Sequence, residues 1–152
     1  MTQVYRIYIK ATAQAIWDAI TKPEWTDRYG YRGLAEYDLR PGGAYRARAN
    51  EEYQAMGMPE YPVEGEIIEV DPPYKLVQTW HPTWLDEPPT QLTYEIKEGP
   101  DGVSMLTVTH ETEGAPQTAA QTAGQIEGAG GGWAEVLSDL KTLLETGKSL
   151  HE

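Results

Sequence analysis

One stretch near the C-terminal end decides most of what this chain is able to fold into. Trp133, Val136, Leu137, Leu140, Leu143 and Leu144 fall at i, i+3, i+4, i+7, i+10 and i+11, one continuous apolar stripe along a helix. Gly147 follows as a stop signal. A stripe of that length must be covered, and the preceding sequence offers strands rather than a second long helix. Val4 to Lys10 alternates, with Tyr5, Ile7 and Ile9 on one face and Arg6, Tyr8 and Lys10 on the other, the period of a half-buried strand. Ala44 to Ala49, Pro62 to Val70, Tyr74 to His81, Gln91 to Lys97 and Val103 to His110 read as further strands, with Ala35 to Leu39 a shorter one. Turns at Pro41-Gly42-Gly43, Asp71-Pro72-Pro73 and Glu98-Gly99-Pro100-Asp101-Gly102 separate them. After the first strand, Thr12 caps a short helix over Ala13 to Ile20, and Pro23 opens a second that ends near Arg28. Strands joined consecutively by hairpin-like turns pair antiparallel, and their sheet is the one surface available to the stripe. The fold class is α+β in one domain spanning residues 1–152, with about six to seven strands. Asn50 to Tyr61 and Pro82 to Pro89 read as loops, and Ala115 to Gln125 as small and polar.

Composition narrows the function. The chain has no cysteine, which excludes disulfides, a thiol nucleophile and cysteine-ligated metals. Twelve Lys and Arg stand against 24 Asp and Glu, a net charge of -12. Such a surface repels a nucleic-acid backbone and an anionic membrane, so neither is an expected partner. No apolar run approaches the roughly 18 residues needed to span a bilayer, and no signal-peptide pattern is present. The expected compartment is the cytoplasm. His81, His110 and His151 have no metal-ligand spacing, and Ser104, Ser138 and Ser149 lie in no nucleophile motif. Gly128 to Gly132 precedes a helix, but Trp133 stands where a dinucleotide fingerprint needs glycine. Neither a metal nor a cofactor is expected. The aromatic set is unusual: no Phe, ten Tyr and five Trp. Each such ring carries a polar tip that wants a partner when buried, so the interior is expected to be partly polar or wet.

Several segments, taken in order, resemble a known family. They are Ile9-Lys10-Ala11-Thr12 leading into Ile16-Trp17-Asp18-Ala19, Lys22-Pro23-Glu24, Asp38-Leu39-Arg40-Pro41-Gly42-Gly43, Gly65-Glu66 with Glu69-Val70-Asp71-Pro72-Pro73, Leu76-Val77 with Thr79-Trp80, Leu106-Thr107-Val108-Thr109-His110, and Gly131-Gly132-Trp133 ahead of Leu140-Lys141. This order is similar to the SRPBCC (START/Bet v 1-like) superfamily, and within it to the branch related to the activator of Hsp90 ATPase homologue 1. The resemblance implies a helix-grip fold, a curved antiparallel sheet wrapped around the long C-terminal helix. It also implies a cavity between the two for an apolar or amphipathic small molecule, aromatic or lipid-like. The chain departs from the pattern where Tyr29 and Gly30 replace a tryptophan pair, and where Gln78 replaces a bulky apolar residue. Both changes make the expected cavity more polar.

On this reading the candidate ligand-binding residues are Tyr5, Ile7, Tyr29, Tyr45, Gln78, Trp80, Tyr94, His110 and Trp133. Gln78 reads either as a polar anchor for a ligand carbonyl or hydroxyl, or as an amide paired with tyrosine hydroxyls or water. His110 reads either as an acid or base, since histidine titrates near 6.5, or as a structural histidine. Its lack of a visible carboxylate partner favours the structural role. The tyrosines line a cavity, or pack as core rings satisfied by backbone. Three functions follow: a small-molecule binding protein, an aromatase-, cyclase- or hydratase-like enzyme using His110 and tyrosine hydroxyls, and a protein-interaction module. Strand edges and loop aromatics also leave a homodimer open.

Overall fold

The computed structural model describes residues 1–152. The elements run β1 (Thr2–Ile9), α1 (Ala13–Thr21), α2 (Pro23–Thr26), β2 (Leu34–Tyr37), β3 (Ala44–Arg48), α3 (Glu51–Ala55), β4 (Val63–Asp71), β5 (Lys75–Pro82), β6 (Thr90–Glu98), β7 (Ser104–Glu111), α4 (Pro116–Thr122) and α5 (Gly132–Thr146). The seven strands form one antiparallel sheet in the order β1-β7-β6-β5-β4-β3-β2. After β1 the chain crosses through α1 and α2 to the far edge. It then returns hairpin by hairpin until β7 lies beside β1.

Local chemistry explains the helices. The Thr12 hydroxyl accepts from the Ala15 N–H at 3.1 Å and starts α1, which buries Ile16, Trp17 and Ile20. Helix α5 buries Trp133, Leu137, Leu140 and Leu143. Gly147 ends it in the left-handed region, its N–H donating to the Leu143 carbonyl at 2.8 Å.

Two segments differ from the sequence reading. Asn50 to Tyr61 contains α3, because the Asn50 side chain accepts from the Tyr53 N–H at 2.9 Å and caps it. Ala115 to Gln125 contains α4, a helix without a cap of its own. Its orphan N–H groups are met from the 83–89 loop instead. Glu87 accepts from the Gln117 N–H at 2.8 Å, the Thr118 N–H at 2.9 Å and the Thr118 hydroxyl at 2.8 Å. Burial works against ionising Glu87, but those three hydrogen bonds outweigh it and hold its carboxyl below the usual range.

The sheet is not uniform. A register shift between Ile67 and Glu69 puts a bulge in β4. Gly65, on the same strand, comes so close to β5 that a Cβ there would lie 2.0 Å from the Thr79 carbonyl oxygen. Around the β1, β6 and β7 half, Ile9, Leu92, Ile96, Leu106 and Val108 pack with α1 and α5 into a filled core. The β2 to β5 half is covered differently, and there the interior opens.

Candidate functional site

A cavity of about 520 Å³ lies under the β2–β5 half of the sheet, at the N-terminal end of α5. That volume is within the range of small-molecule sites. The register builds its wall. Tyr37 pairs with Tyr45 and Ala35 with Ala47, and Val63 lies opposite Ala47 on the next strand. Small residues beside large rings leave the space. Gly65 lies opposite Tyr45 and presents no side chain between β3 and β5. The Tyr45 and Trp80 rings stack there, 6.1 Å apart and 20° from parallel. The ladder continues in both directions, with Tyr37 4.6 Å from Tyr45, and Trp133 6.1 Å from both Trp80 and Tyr94. Offset rings of this kind present flat apolar faces and polar edges to an occupant.

The tyrosine hydroxyls fall into two groups. The Tyr29 hydroxyl donates to the Ala19 carbonyl at 2.8 Å, and the Tyr37 hydroxyl to Gln78 Oε1 at 2.6 Å. Both are satisfied by the protein. Tyr45 and Tyr94 are buried and line the cavity, yet their hydroxyls have no protein partner, and no fully enclosed polar atom in the chain is unpaired. These two hydroxyls therefore open onto the cavity. Burial pushes the phenol pKa of Tyr45 up; burial, then the neighbouring Tyr45 and Tyr29, does the same for Tyr94. Both are neutral donors at ordinary pH.

Of the nine residues singled out by sequence, Tyr29, Tyr45, Trp80, Tyr94 and Trp133 line this cavity. Four do not. Tyr5 and Ile7 sit on β1, at the opposite edge of the sheet, packed against the filled core. Gln78 is fully buried behind the wall, its oxygen taken by Tyr37 and its amide weakly by the Thr79 carbonyl at 3.4 Å. His110 is also fully buried behind the wall.

The hydrogen bonds of His110 fix its state. The Trp133 indole N–H, which can only donate, approaches Nδ1 at 3.1 Å. The Thr90 hydroxyl donates to the Trp80 carbonyl at 3.1 Å and so accepts from Nε2, 2.7 Å away. Both neighbours dictate the same neutral tautomer, with the proton on Nε2. Burial lowers the pKa of His110 to about 4. The ring is a fixed strut between β6, β7 and α5, set edge-on to Trp80 and Trp133. Both ring nitrogens are engaged by protein groups, and His110 is not among the residues that line the cavity.

Sequence reading missed Arg32, Ala35, Tyr37, Tyr53, Gln121 and Thr122, all of which line the cavity. Tyr37 was findable, because the Pro41-Gly42-Gly43 turn folds it back onto Tyr45. Ala35 lies on β2 opposite Ala47, where its small side chain drew no attention. Arg32, Tyr53, Gln121 and Thr122 come from a loop and short helices that carry no periodic signal. The exposed lining residues, among them Tyr31, Arg32, Met58 and Trp84, mark the mouth. No three His, Asp or Glu side chains converge anywhere to hold a metal ion. No helix is long and apolar enough to cross a membrane.

Comparison with known proteins places this architecture. The family model described as activator of Hsp90 ATPase homolog 1-like protein matches residues 10–145. Among solved structures, CalU16 from Micromonospora echinospora is similar with a TM-score of 0.70 at 20% identity, over 99% of this chain and 78% of that one. An HSP90 activator from Plasmodium falciparum, PFC0360w, has a TM-score of 0.69 at 18% identity over 95% of this chain and 96% of its own. The Aha1 dimer from Colwellia psychrerythraea has a TM-score of 0.68 at 17% identity, over 98% and 99% of the two chains. At these identities the likeness concerns the fold. No curated protein sequence matches the chain. The helix-grip architecture, the seven-stranded sheet and the family match over 10–145 agree: this chain belongs to the activator of Hsp90 ATPase homolog 1-like family.

Proposed function

We propose that the protein binds a small, largely apolar ligand with an aromatic ring, held in the cavity between α5 and the β2–β5 half of the sheet. The observation that carries this reading is the pair of cavity-facing hydroxyls, Tyr45 and Tyr94, left without protein partners beside the Trp80 and Trp133 rings. Facing the cavity, these hydroxyls offer hydrogen bonds that a ligand oxygen can accept in place of water. The rings supply stacking area and the hydroxyls supply orientation.

The enzyme reading has less support. Its acid or base, His110, is locked as a neutral strut with no carboxylate partner. HSP90 activation is the role of the Plasmodium neighbour. For this chain it rests on the likeness of fold alone.

Titration calorimetry with 2-naphthol tests the binding reading. The wild-type protein is expected to bind 2-naphthol more tightly than naphthalene. Replacing Tyr45 and Tyr94 together by Phe is expected to weaken 2-naphthol by about tenfold while leaving naphthalene within about twofold, since a neutral hydrogen bond contributes about 1 kcal/mol. No heat and no rise in melting temperature with either compound would overturn the reading.

A further inference from the structure

The chemical class of the ligand is narrowed further by one side chain at the mouth. Arg32 is the one charged residue among the 28 that line the cavity. It forms no ion pair, and its guanidinium donates no hydrogen bond to the protein. Arg48 is likewise unpaired but does not line the cavity. The other arginines are engaged: Arg6 with the Thr107 hydroxyl, Arg40 with Asp38, Arg46 with Glu36 and the face of Tyr61, Arg28 with the Gly147 carbonyl and the face of Trp25. Arg32 thus brings a free planar fork of donors to an otherwise uncharged, aromatic-walled cavity.

Its backbone adds a second observation. Arg32 adopts φ 56°, left-handed, in a turn closed by its N–H on the Tyr29 carbonyl at 3.0 Å. Glycine meets that requirement without strain, and an arginine does not. The same loop is clamped on both sides. The Gly30 N–H donates to Asp139 at 2.8 Å, and the Tyr31 hydroxyl to the Ala129 carbonyl at 3.0 Å across the mouth. The guanidinium is therefore carried on a fixed rim rather than on a free loop.

Building on the binding reading above, we infer that the ligand is an aromatic carboxylate. Its ring lies on Trp80 and Tyr45, and its carboxylate sits at the mouth, paired with Arg32. The division follows from desolvation. A carboxylate buried among rings loses its hydration with little return, whereas at the mouth it keeps part of its water and gains a bidentate partner. The net charge of -12 repels anions in general, so a local cation is what makes this opening acceptable to one. The hydroxyls of Tyr45 and Tyr94 then meet an oxygen at the inner end of the same molecule.

The test compares 6-hydroxy-2-naphthoic acid with its uncharged primary amide by titration calorimetry. Proteins are the wild type, Arg32→Gln, Arg32→Gly and, as a control off the cavity, Arg48→Gln. Arg32→Gly removes the guanidinium and relieves the backbone, so it stays folded if Arg32→Gln does not. The wild type and Arg48→Gln are expected to prefer the acid by about tenfold or more, the worth of one charged hydrogen bond. Both Arg32 variants are expected to bind acid and amide within about twofold, with the amide affinity unchanged. Equal binding of acid and amide by the wild type, or a preference that survives in both Arg32 variants, overturns the carboxylate inference and leaves the cavity reading intact. Failure of the wild type to bind either compound overturns both.

Discussion

His110 illustrates what burial does to a titratable side chain. Its two neighbours each have one way to bond, and both ways require the neutral ring. Protonation would set a second N–H against the indole N–H of Trp133. The consequence for stability has a definite sign. The folded pKa, about 4, lies below the ordinary 6.5, so between these values the unfolded chain binds more protons. The contribution of His110 is complete above pH 6.5 and is lost as the pH falls through about 4. Its size is about 3 kcal/mol. We expect His110→Gln, which titrates nowhere, to be less stable than wild type at pH 7.5, with the gap closing by pH 4. Urea unfolding of both proteins across that range measures it, and parallel curves would show that His110 does not titrate on unfolding.

At the scale of elements, the short pieces around the mouth are held by side chains from distant segments. Asp139, on α5, is buried yet accepts from the Gly30 N–H at 2.8 Å and from the Leu150 N–H at 2.7 Å. One carboxylate thus fastens the rim loop and the C-terminal segment to the long helix. Two charge-assisted hydrogen bonds are lost in Asp139→Ala, and the N–H groups they served are left in a partly buried place. The expected destabilisation is about 3 kcal/mol by urea unfolding, with faster amide exchange at Gly30 to Arg32. A loss below about 1 kcal/mol, with exchange unchanged, would mean the carboxylate does not hold the rim. Glu87 does the same for α4, whose partner Gln3 on β1 receives the Thr122 hydroxyl at 3.0 Å and donates to the Ala119 carbonyl at 2.9 Å. These ties fix the cover over the cavity without an apolar stripe of its own.

Across the whole molecule, one half of the sheet is closed by close packing and the other is left open. Large aliphatic side chains from α1, α5 and the β1, β7 and β6 strands fill the first half. The second half sets Ala35, Ala47 and Ala49 beside rings too rigid to collapse onto them. The cavity is therefore a matter of side-chain volume and not of backbone shape. Ala47→Leu should fill part of it, leaving the melting temperature unchanged or raised because new apolar contacts form. The same variant should bind 2-naphthol at least tenfold more weakly. Unimpaired binding would place the ligand elsewhere.

The division between sequence and tertiary structure follows the range of the interactions. Periodicity is local, so the strands, α1 and the α5 stripe were legible, as was the antiparallel pairing that hairpin turns enforce. Inward faces were legible too, which is why Tyr45, Trp80 and Tyr94 stood out. Periodicity says which face a residue is on but not which half of the sheet lies over a gap. Tyr5 and Ile7 share the correct face and still miss the cavity, because β1 ends up at the packed edge. Helices α3 and α4 carried no stripe, and the cap of α4 comes from Glu87, 30 residues before the N–H it meets at Gln117. The chemistry of Gln78 and His110 was likewise decided at a distance, by Tyr37, Thr90 and Trp133. Each of these groups changes role with its hydrogen-bond partners, and only the folded chain supplies them. What the sequence alone determined is the set of elements and the way they pair. What the tertiary structure decided is which polar groups are used up inside the protein and which, as with Tyr45, Tyr94 and Arg32, are left without a protein partner.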